Sequence, residues 1–147
     1  MGDGQISLEM DAVPLARQAL ALGCRAVLLK CGVSGMVLVT SGRAQMETVG
    51  KRLELAADSW ADQTILQPCF PADTVKNATG AGDASIAAFL LAAASGRKPS
   101  ACTALAAAEG ACAVTTYDLL SGLMTLEALE QRINAGWTAG TAVHIGV

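Results

Sequence analysis

The chain has 147 residues, of which 52% are hydrophobic and 16% charged, and its net charge is −3. This length and composition fit one domain with a packed core and exclude an extensively disordered chain. The ten lysines and arginines are scattered along the sequence, which argues against a nucleic-acid-binding protein because such proteins need clustered basic residues. The apolar runs are shorter than the roughly 20 residues that span a bilayer. The first residues lack the pattern of a signal peptide, so no membrane partner is expected.

The five cysteines, at positions 24, 31, 69, 102 and 112, lie mostly inside apolar segments, and no two form a Cys-x-x-Cys pair. His144 is the only histidine, so the sequence predicts no metal held directly by side chains. Reduced thiols in a core are typical of a cytoplasmic protein, which is the location we expect.

The first half of the sequence predicts one helix followed by short strands. Helical spacing of apolar residues begins at Val13 and stops at Gly23. The apolar run 26–31 predicts a strand covered on both faces, as in a parallel sheet. A hairpin is predicted through Ser41-Gly42-Arg43, and 51–60 is expected to be a partly helical connection. The segments predicted in this half are a helix over 13–22 and strands over 26–31, 36–40, 44–49 and 64–67.

The second half predicts three helices. The first opens at Gly80-Ala81-Gly82-Asp83 and runs to about Ala94, and the second runs from Ser100, as N-cap, to about Val114. Thr125 is predicted to cap a third helix that ends near Ile133. Strands followed by helices indicate an α/β layered fold. We predict a single domain, 1–147, with loose ends over 1–9 and 136–147.

The segment Asn77-Ala-Thr-Gly-Ala-Gly-Asp83 has the composition of an anion site at a helix start. Unpaired backbone N–H groups point outward at a helix N-terminus, where the dipole adds partial positive charge. Glycines at 80 and 82 allow an anion to approach the N–H groups of Ala81, Gly82 and Asp83. A carboxylate beside that site repels an anion but can accept a proton from an alcohol, which phosphoryl transfer requires. The alternative is a tight loop with Asp83 complementing the helix dipole.

The stretch Thr79-Gly80-Ala81-Gly82-Asp83-Ala84 resembles the C-terminal signature of the ribokinase-like (PfkB) carbohydrate kinases, which usually reads Asp-Thr-Thr/Asn-Gly-Ala-Gly-Asp-x-Phe. The resemblance implies that Asp83 is the catalytic base that activates a sugar hydroxyl. It also implies that Thr79 and the backbone from Gly80 to Gly82 hold the transferring phosphate of ATP. Asn77 and Ala78 stand where Asp and Thr are common, which weakens any inference about a nearby monovalent-cation or phosphate contact. Ser85 stands where Phe is common, which changes the packing behind the helix.

A second segment carries the same resemblance. Lys30, Gly32 and Gly35 match the family's Lys/Thr-x-Gly-x-x-Gly element, which implies that Gly32 and its neighbours line the ATP phosphate and ribose region. Taken alone, this segment is better explained as an ordinary strand-turn-strand, whereas together with the first segment it strengthens the resemblance. The small residues of the helix predicted over 101–114, including Ala108, match a helix that flanks adenine in the family, although tight helix packing is the better explanation for them.

The resemblance implies a partial ribokinase-like three-layer α/β/α fold, because it covers only the second half of the family's pattern. It implies ATP and Mg²⁺ bound through the nucleotide phosphates, and allows for a monovalent cation. We expect a fragment that is weakly active or inactive by itself, and that self-associates through an exposed sheet edge.

Three functions remain open from the sequence. The first is ATP-dependent phosphorylation of an alcohol group on a sugar or related small molecule, with the acceptor unidentified. The second is a non-catalytic module that binds a nucleotide or phosphometabolite at the same anion site. A Rossmann-type dinucleotide domain has the least support, because Gly80-Ala-Gly82 lacks a third glycine and no strong strand precedes it.

Overall fold

A four-stranded antiparallel sheet organises the first of two structural units. The computed structural model describes residues 6–118, 120–140 and 143–144. By its internal contacts the chain divides into Met1–Pro68 with Thr141–Val147, and Cys69–Gly140. The sheet lies in the first unit, and its strands follow the order β1 (Ala26–Lys30), β2 (Met36–Thr40), β3 (Thr64–Gln67) and β4 (Val143–His144).

The N-terminal helices pack against this sheet. A π-helical turn, Leu8–Ala12, leads directly into α1 (Val13–Ala21), and the Ser7 hydroxyl caps the turn by accepting from the Met10 N–H at 3.1 Å. The helix predicted over 13–22 is therefore confirmed. Buried side chains from these helices and the strands form one apolar cluster of Ala12, Val13, Ala16, Cys31, Val37, Val39 and Leu66.

The strand predicted over 26–31 is present as β1, but the expected parallel, fully covered environment is wrong. β1 pairs antiparallel with β2, with Leu28 opposite Leu38. The link from β1 to β2 is only a short 3-10 turn, Gly32–Ser34, and a parallel pair needs a crossover of about a dozen residues. Among the described residues β1 is the outermost strand, and its central residues are half-buried.

The hairpin predicted through Ser41-Gly42-Arg43 is wrong, because the segment 44–49 is helical. α2 (Arg43–Leu53) begins after Gly42, and α3 (Ala57–Trp60) follows it, so the partly helical connection over 51–60 is confirmed. Met46 and Gly50 lie one helical turn apart and are both buried. An exposed pair of Arg43 and Glu47, with Nε 3.0 Å from Oε1, lies on the outer face, in the spacing that supports a helix.

The second unit contains the three helices predicted for the second half: α4 (Ala81–Ala94), α5 (Pro99–Ala113) and α6 (Leu126–Asn134). The Thr125 hydroxyl accepts from the Ala128 N–H at 3.2 Å, so Thr125 caps α6 as expected. α5 differs at its start, because Lys98 is the N-cap and Pro99 occupies the first turn in place of the predicted Ser100 cap. Proline suits that position since its missing N–H would have no helical partner there.

The structure also bears on the membrane spans and on the chain ends considered in the sequence analysis. No helix in the ranges described above reaches the length and apolar character of a membrane span. Of the ends expected to be loose, residues 1–5, 141–142 and 145–147 lie outside the described residues. Leu8 and Glu9 belong to the π-helical turn, and residues 143–144 form β4.

Candidate active site

The glycine-rich segment in the second unit forms a turn that opens α4. Gly80 is the N-cap and has φ +84°, ψ −12°, a left-handed conformation that glycine adopts without a Cβ clash. The Gly80 carbonyl accepts from the Ala84 N–H at 2.9 Å, and the Ala78 carbonyl accepts from the Ala81 N–H at 3.3 Å. These bonds set the first turn of α4.

Two backbone donors of this turn are unpaired. The N–H groups of Gly82 and Asp83 have no hydrogen-bond acceptor in the part of the chain that the structure describes. Ala81 uses its N–H in the long bond to Ala78. A helix of 14 residues follows, so the dipole adds partial positive charge where these donors lie. The turn can therefore bind an anion through backbone N–H groups.

Asp83 lies in the same turn and is exposed to solvent. Within the described residues, no hydrogen bond or ion pair engages its carboxylate. The carboxylate is thus neither buried nor held by a cation, and it can accept a proton from a group brought to the two N–H donors. Thr79, which the sequence also assigned to this site, is exposed beside the Gly80 turn.

A side-chain amide that the sequence analysis did not assign to the site supports this turn. Asn77 Oδ1 accepts from the Thr79 N–H at 3.0 Å, and Asn77 Nδ2 donates to the Tyr117 carbonyl at 3.1 Å. The N–H groups of Lys76 and Asn77 both donate to the Val114 carbonyl, at 2.8 and 3.3 Å. An asparagine two residues before the bonded N–H is a known turn signal, but Tyr117 lies 40 residues away and no local pattern reveals that contact.

A close helix contact fixes α4 against α5. A Cβ added at Gly110 would lie 2.5 Å from Ser85 Oγ and 3.7 Å from the Ala81 carbonyl oxygen. Ser85 Oγ in turn donates to that carbonyl at 3.0 Å. The small residue at 110 therefore lets α5 reach the first turns of α4. Ala108, predicted to flank adenine, is fully buried in α5, so its side chain is a packing contact in this unit.

A buried carboxylate lies on the same helix. Glu109 is 4% exposed, and its Oε1 accepts from the Met124 N–H at 3.1 Å. Burial raises the pKa of the Glu109 carboxyl, and the hydrogen bond from Met124 opposes that rise. Glu109 thus links α5 to the segment before α6.

The second predicted element, in the first unit, is a tight turn between β1 and β2. Gly32 and Gly35 have φ +56° and +110°. A Cβ at Gly35 would lie 2.1 Å from the Gln67 carbonyl oxygen, so only glycine fits there. The Ser34 hydroxyl is buried and has no hydrogen-bond partner in the described residues.

The side chains of the described residues form no cluster that could bind a metal ion. Among these residues, no group of three or more His, Cys, Asp or Glu is placed to hold a metal ion.

Comparison with known proteins identifies the family. The family model described as "pfkB family carbohydrate kinase" matches residues 6–125 of the chain. The structure resembles a Methanocaldococcus jannaschii nucleoside kinase, an archaeal member of the ribokinase family, with a TM-score of 0.59 and 25% identity over 76% of this chain and 30% of that one. Arabidopsis thaliana ribokinase complexed with ribose and ATP gives a TM-score of 0.65 and 24% identity, over 84% of this chain and 33% of that one.

A third solved structure has the same fold. Aminoimidazole riboside kinase from Salmonella enterica, complexed with aminoimidazole riboside and an ATP analogue, gives a TM-score of 0.58 and 22% identity, over 88% of this chain and 38% of that one. No protein of curated function matches the chain significantly. The chain spans about a third of the length of these kinases, as a partial α/β fold of the ribokinase type. With 120 of its residues inside the matched range 6–125, the chain belongs to the pfkB family of carbohydrate kinases.

Proposed function

We propose that this chain carries the phosphoryl-transfer site of an ATP-dependent kinase that acts on an alcohol group of a sugar, nucleoside or related small molecule. The observation that supports it most is the pairing of an exposed, unengaged Asp83 carboxylate with two unpartnered N–H groups in one helical turn. Membership of the pfkB family supports the reaction class. The acceptor stays open, because the chain covers only 30–38% of the similar kinases.

In this proposal Asp83 is the general base. Its carboxylate accepts the proton of the alcohol as the alcohol oxygen attacks the terminal phosphorus of ATP. The bond from that phosphorus to the bridging oxygen breaks, and ADP leaves. The N–H groups of Gly82 and Asp83 donate to phosphoryl oxygens on which charge is held during transfer. Gly32 and Gly35 are proposed to line the nucleotide, and Mg²⁺ would enter with the ATP phosphates and neutralise part of their charge.

A monovalent cation does not fit at Asn77. Oδ1 already accepts from the Thr79 N–H, and Nδ2 presents hydrogen-bond donors toward the Tyr117 carbonyl. Both polar atoms of Asn77 are thus engaged with the protein, and Asn77 lacks the negative charge of an aspartate, so the proposed reaction assigns no monovalent cation to it. The buried thiols of Cys31, Cys102 and Cys112 support the expected cytoplasmic location.

The test is to incubate the chain with ATP, Mg²⁺ and a panel of pentoses, hexoses and nucleosides, and to follow phosphorus NMR at protein concentrations high enough to detect slow transfer. A new phosphate ester on an acceptor supports the kinase. Binding of ATP by calorimetry with no ester on any acceptor fits the non-catalytic nucleotide-binding module, which needs no acceptor site, and equally fits the proposed kinase if this fragment is inactive by itself. Absence of ATP binding contradicts the kinase and the nucleotide-binding module, and leaves only a module that binds another phosphometabolite.

A further inference from the structure

We propose that Asn77 is a positioning residue whose side-chain amide joins the glycine turn before α4 to the loop after α5. Through this bridge it holds the Gly82 and Asp83 N–H groups in the orientation that receives a phosphate. The inference rests on the proposed phosphate site at the start of α4. It concerns a residue that departs from the usual Asp of the family signature.

The two polar atoms of this amide serve two different segments. Oδ1 bonds to the Thr79 N–H, one residue before Gly80, while Nδ2 bonds to the Tyr117 carbonyl. The backbone N–H groups of Lys76 and Asn77 attach the same stretch to the Val114 carbonyl. Asn77 is itself only partly exposed. Residues 76 and 77 are therefore bonded to Val114 and Tyr117 at the end of α5 and just after it, and the Asn77 side chain connects these bonds to Thr79, beside the turn.

An asparagine is required for both bonds. An aspartate can still accept from Thr79, but its carboxylate has no hydrogen to donate and would face the Tyr117 carbonyl oxygen. Its negative charge would also lie close to the proposed phosphate. An alanine loses both bonds. Asn77 is thus the element of this turn that bridges the two loops without adding charge.

The bridge matters because the turn itself is permissive. Gly80 has φ +84°, and glycine has more backbone freedom than any other residue. A turn that is already fixed before its ligand arrives loses less entropy on binding. We therefore expect Asn77 to increase the affinity for phosphate by keeping the turn ordered before the ligand binds.

The first arm of the test measures hydrogen exchange of single backbone amides by NMR, with no nucleotide present. The reporter is the Lys76 N–H, whose acceptor is the Val114 carbonyl, whereas the Asn77 side chain bonds to Thr79 and Tyr117. Loss of one net hydrogen bond of about 1 kcal/mol corresponds to a roughly fivefold change in opening. We expect Lys76 to exchange about fivefold faster in Asn77→Asp, which loses the bond to Tyr117, and at least about fivefold faster in Asn77→Ala, which loses both bonds. Asn134→Ala, at the exposed end of α6, is the matched control and should leave it unchanged.

The second arm measures the Kd for ATP with Mg²⁺ by calorimetry. Asn77→Ala should weaken binding about fivefold, Asn77→Asp should weaken it further because of its charge, and Asn134→Ala should match the wild type. Unchanged Lys76 exchange in both Asn77 variants overturns the inference, as does unchanged ATP affinity. If the wild type binds no ATP, the proposed function fails, whereas Lys76 exchange still decides whether Asn77 orders the turn. If one variant does not fold, the other decides.

Discussion

In the proposed site, Asp83 is the general base and Asn77 positions the turn that carries the N–H donors. Asp83 is exposed in the first turn of α4, where its carboxylate also complements the helix dipole. Its position was predictable because glycines, a helix start and a carboxylate are adjacent in sequence. The bridging contact of Asn77 was not predictable, because its partner Tyr117 is brought near only by the packing of α4 on α5.

Glu109 should make stability depend on pH. Its folded-state pKa is raised by burial, so its contribution is fully present below the unfolded pKa of about 4.3 and is lost as pH rises through the folded pKa. Glu109→Gln keeps an oxygen that can accept from Met124 and removes the ionisation. We expect this variant to gain stability relative to the wild type as the pH goes from about 4 to about 8.

Urea unfolding followed by circular dichroism at both pH values measures this difference. Glu54→Gln, an exposed glutamate, is the control and should follow the wild type at both. A Glu109→Gln variant whose stability relative to the wild type is the same at both pH values would contradict the assignment.

At the scale of elements, α4 and α5 approach closely because Gly110 faces Ser85. Gly110→Ala places a methyl group 2.5 Å from Ser85 Oγ, and overpacking of this kind costs about 1–3 kcal/mol. In a Ser85→Ala background the clash is removed, and alanine gains up to about 1 kcal/mol over glycine in a helix. We expect Gly110→Ala to destabilise the wild type and to be neutral or stabilising in the Ser85→Ala protein. Urea unfolding of the four proteins in this cycle measures it, and an equal effect in both backgrounds would argue against the contact.

The helices of the second unit were predicted from the sequence, whereas α2 and the direction of β1 were not. The helices of the second unit were predictable because Gly80, the Pro99-Ser100 pair and Thr125 lie at their starts, although the cap of α5 is Lys98 and not Ser100. α2 was missed because the apolar residues of 44–49 suggest a strand unless Met46 and Gly50 are recognised as one helical face. The direction of β1 was missed because an apolar run indicates burial, whereas pairing depends on the length of the following turn.

At the scale of the whole molecule, β1 presents an unpaired sheet edge within the described residues. The Cys31 N–H donates to Gly35 and the Arg25 carbonyl accepts from Ser41, so odd-numbered positions bond to β2. In an antiparallel pair the groups of alternate residues point the other way. The N–H and C=O groups of Ala26, Leu28 and Lys30 are therefore directed outward, where another strand can pair with them.

We propose that the chain self-associates through this edge. Leu28→Pro removes an outward N–H, whereas Leu28→Ala removes a similar part of the side chain and keeps that donor. Light scattering after size-exclusion chromatography should show oligomers for the wild type and Leu28→Ala, and a shift toward monomer for Leu28→Pro. A monomeric wild type, or an equal shift in both variants, would contradict edge pairing.

The proposed kinase reaction is tested most directly by measuring phosphoryl transfer and ATP affinity side by side in the wild type and in Asp83→Asn. The substitution keeps the size of the side chain and removes the base. We expect transfer to fall by about 10²–10⁴-fold, the usual contribution of general base catalysis, while the Kd for ATP stays unchanged or falls, because a negative charge near the phosphates is gone. Transfer at the wild-type rate in Asp83→Asn would contradict the assignment of Asp83 as the base.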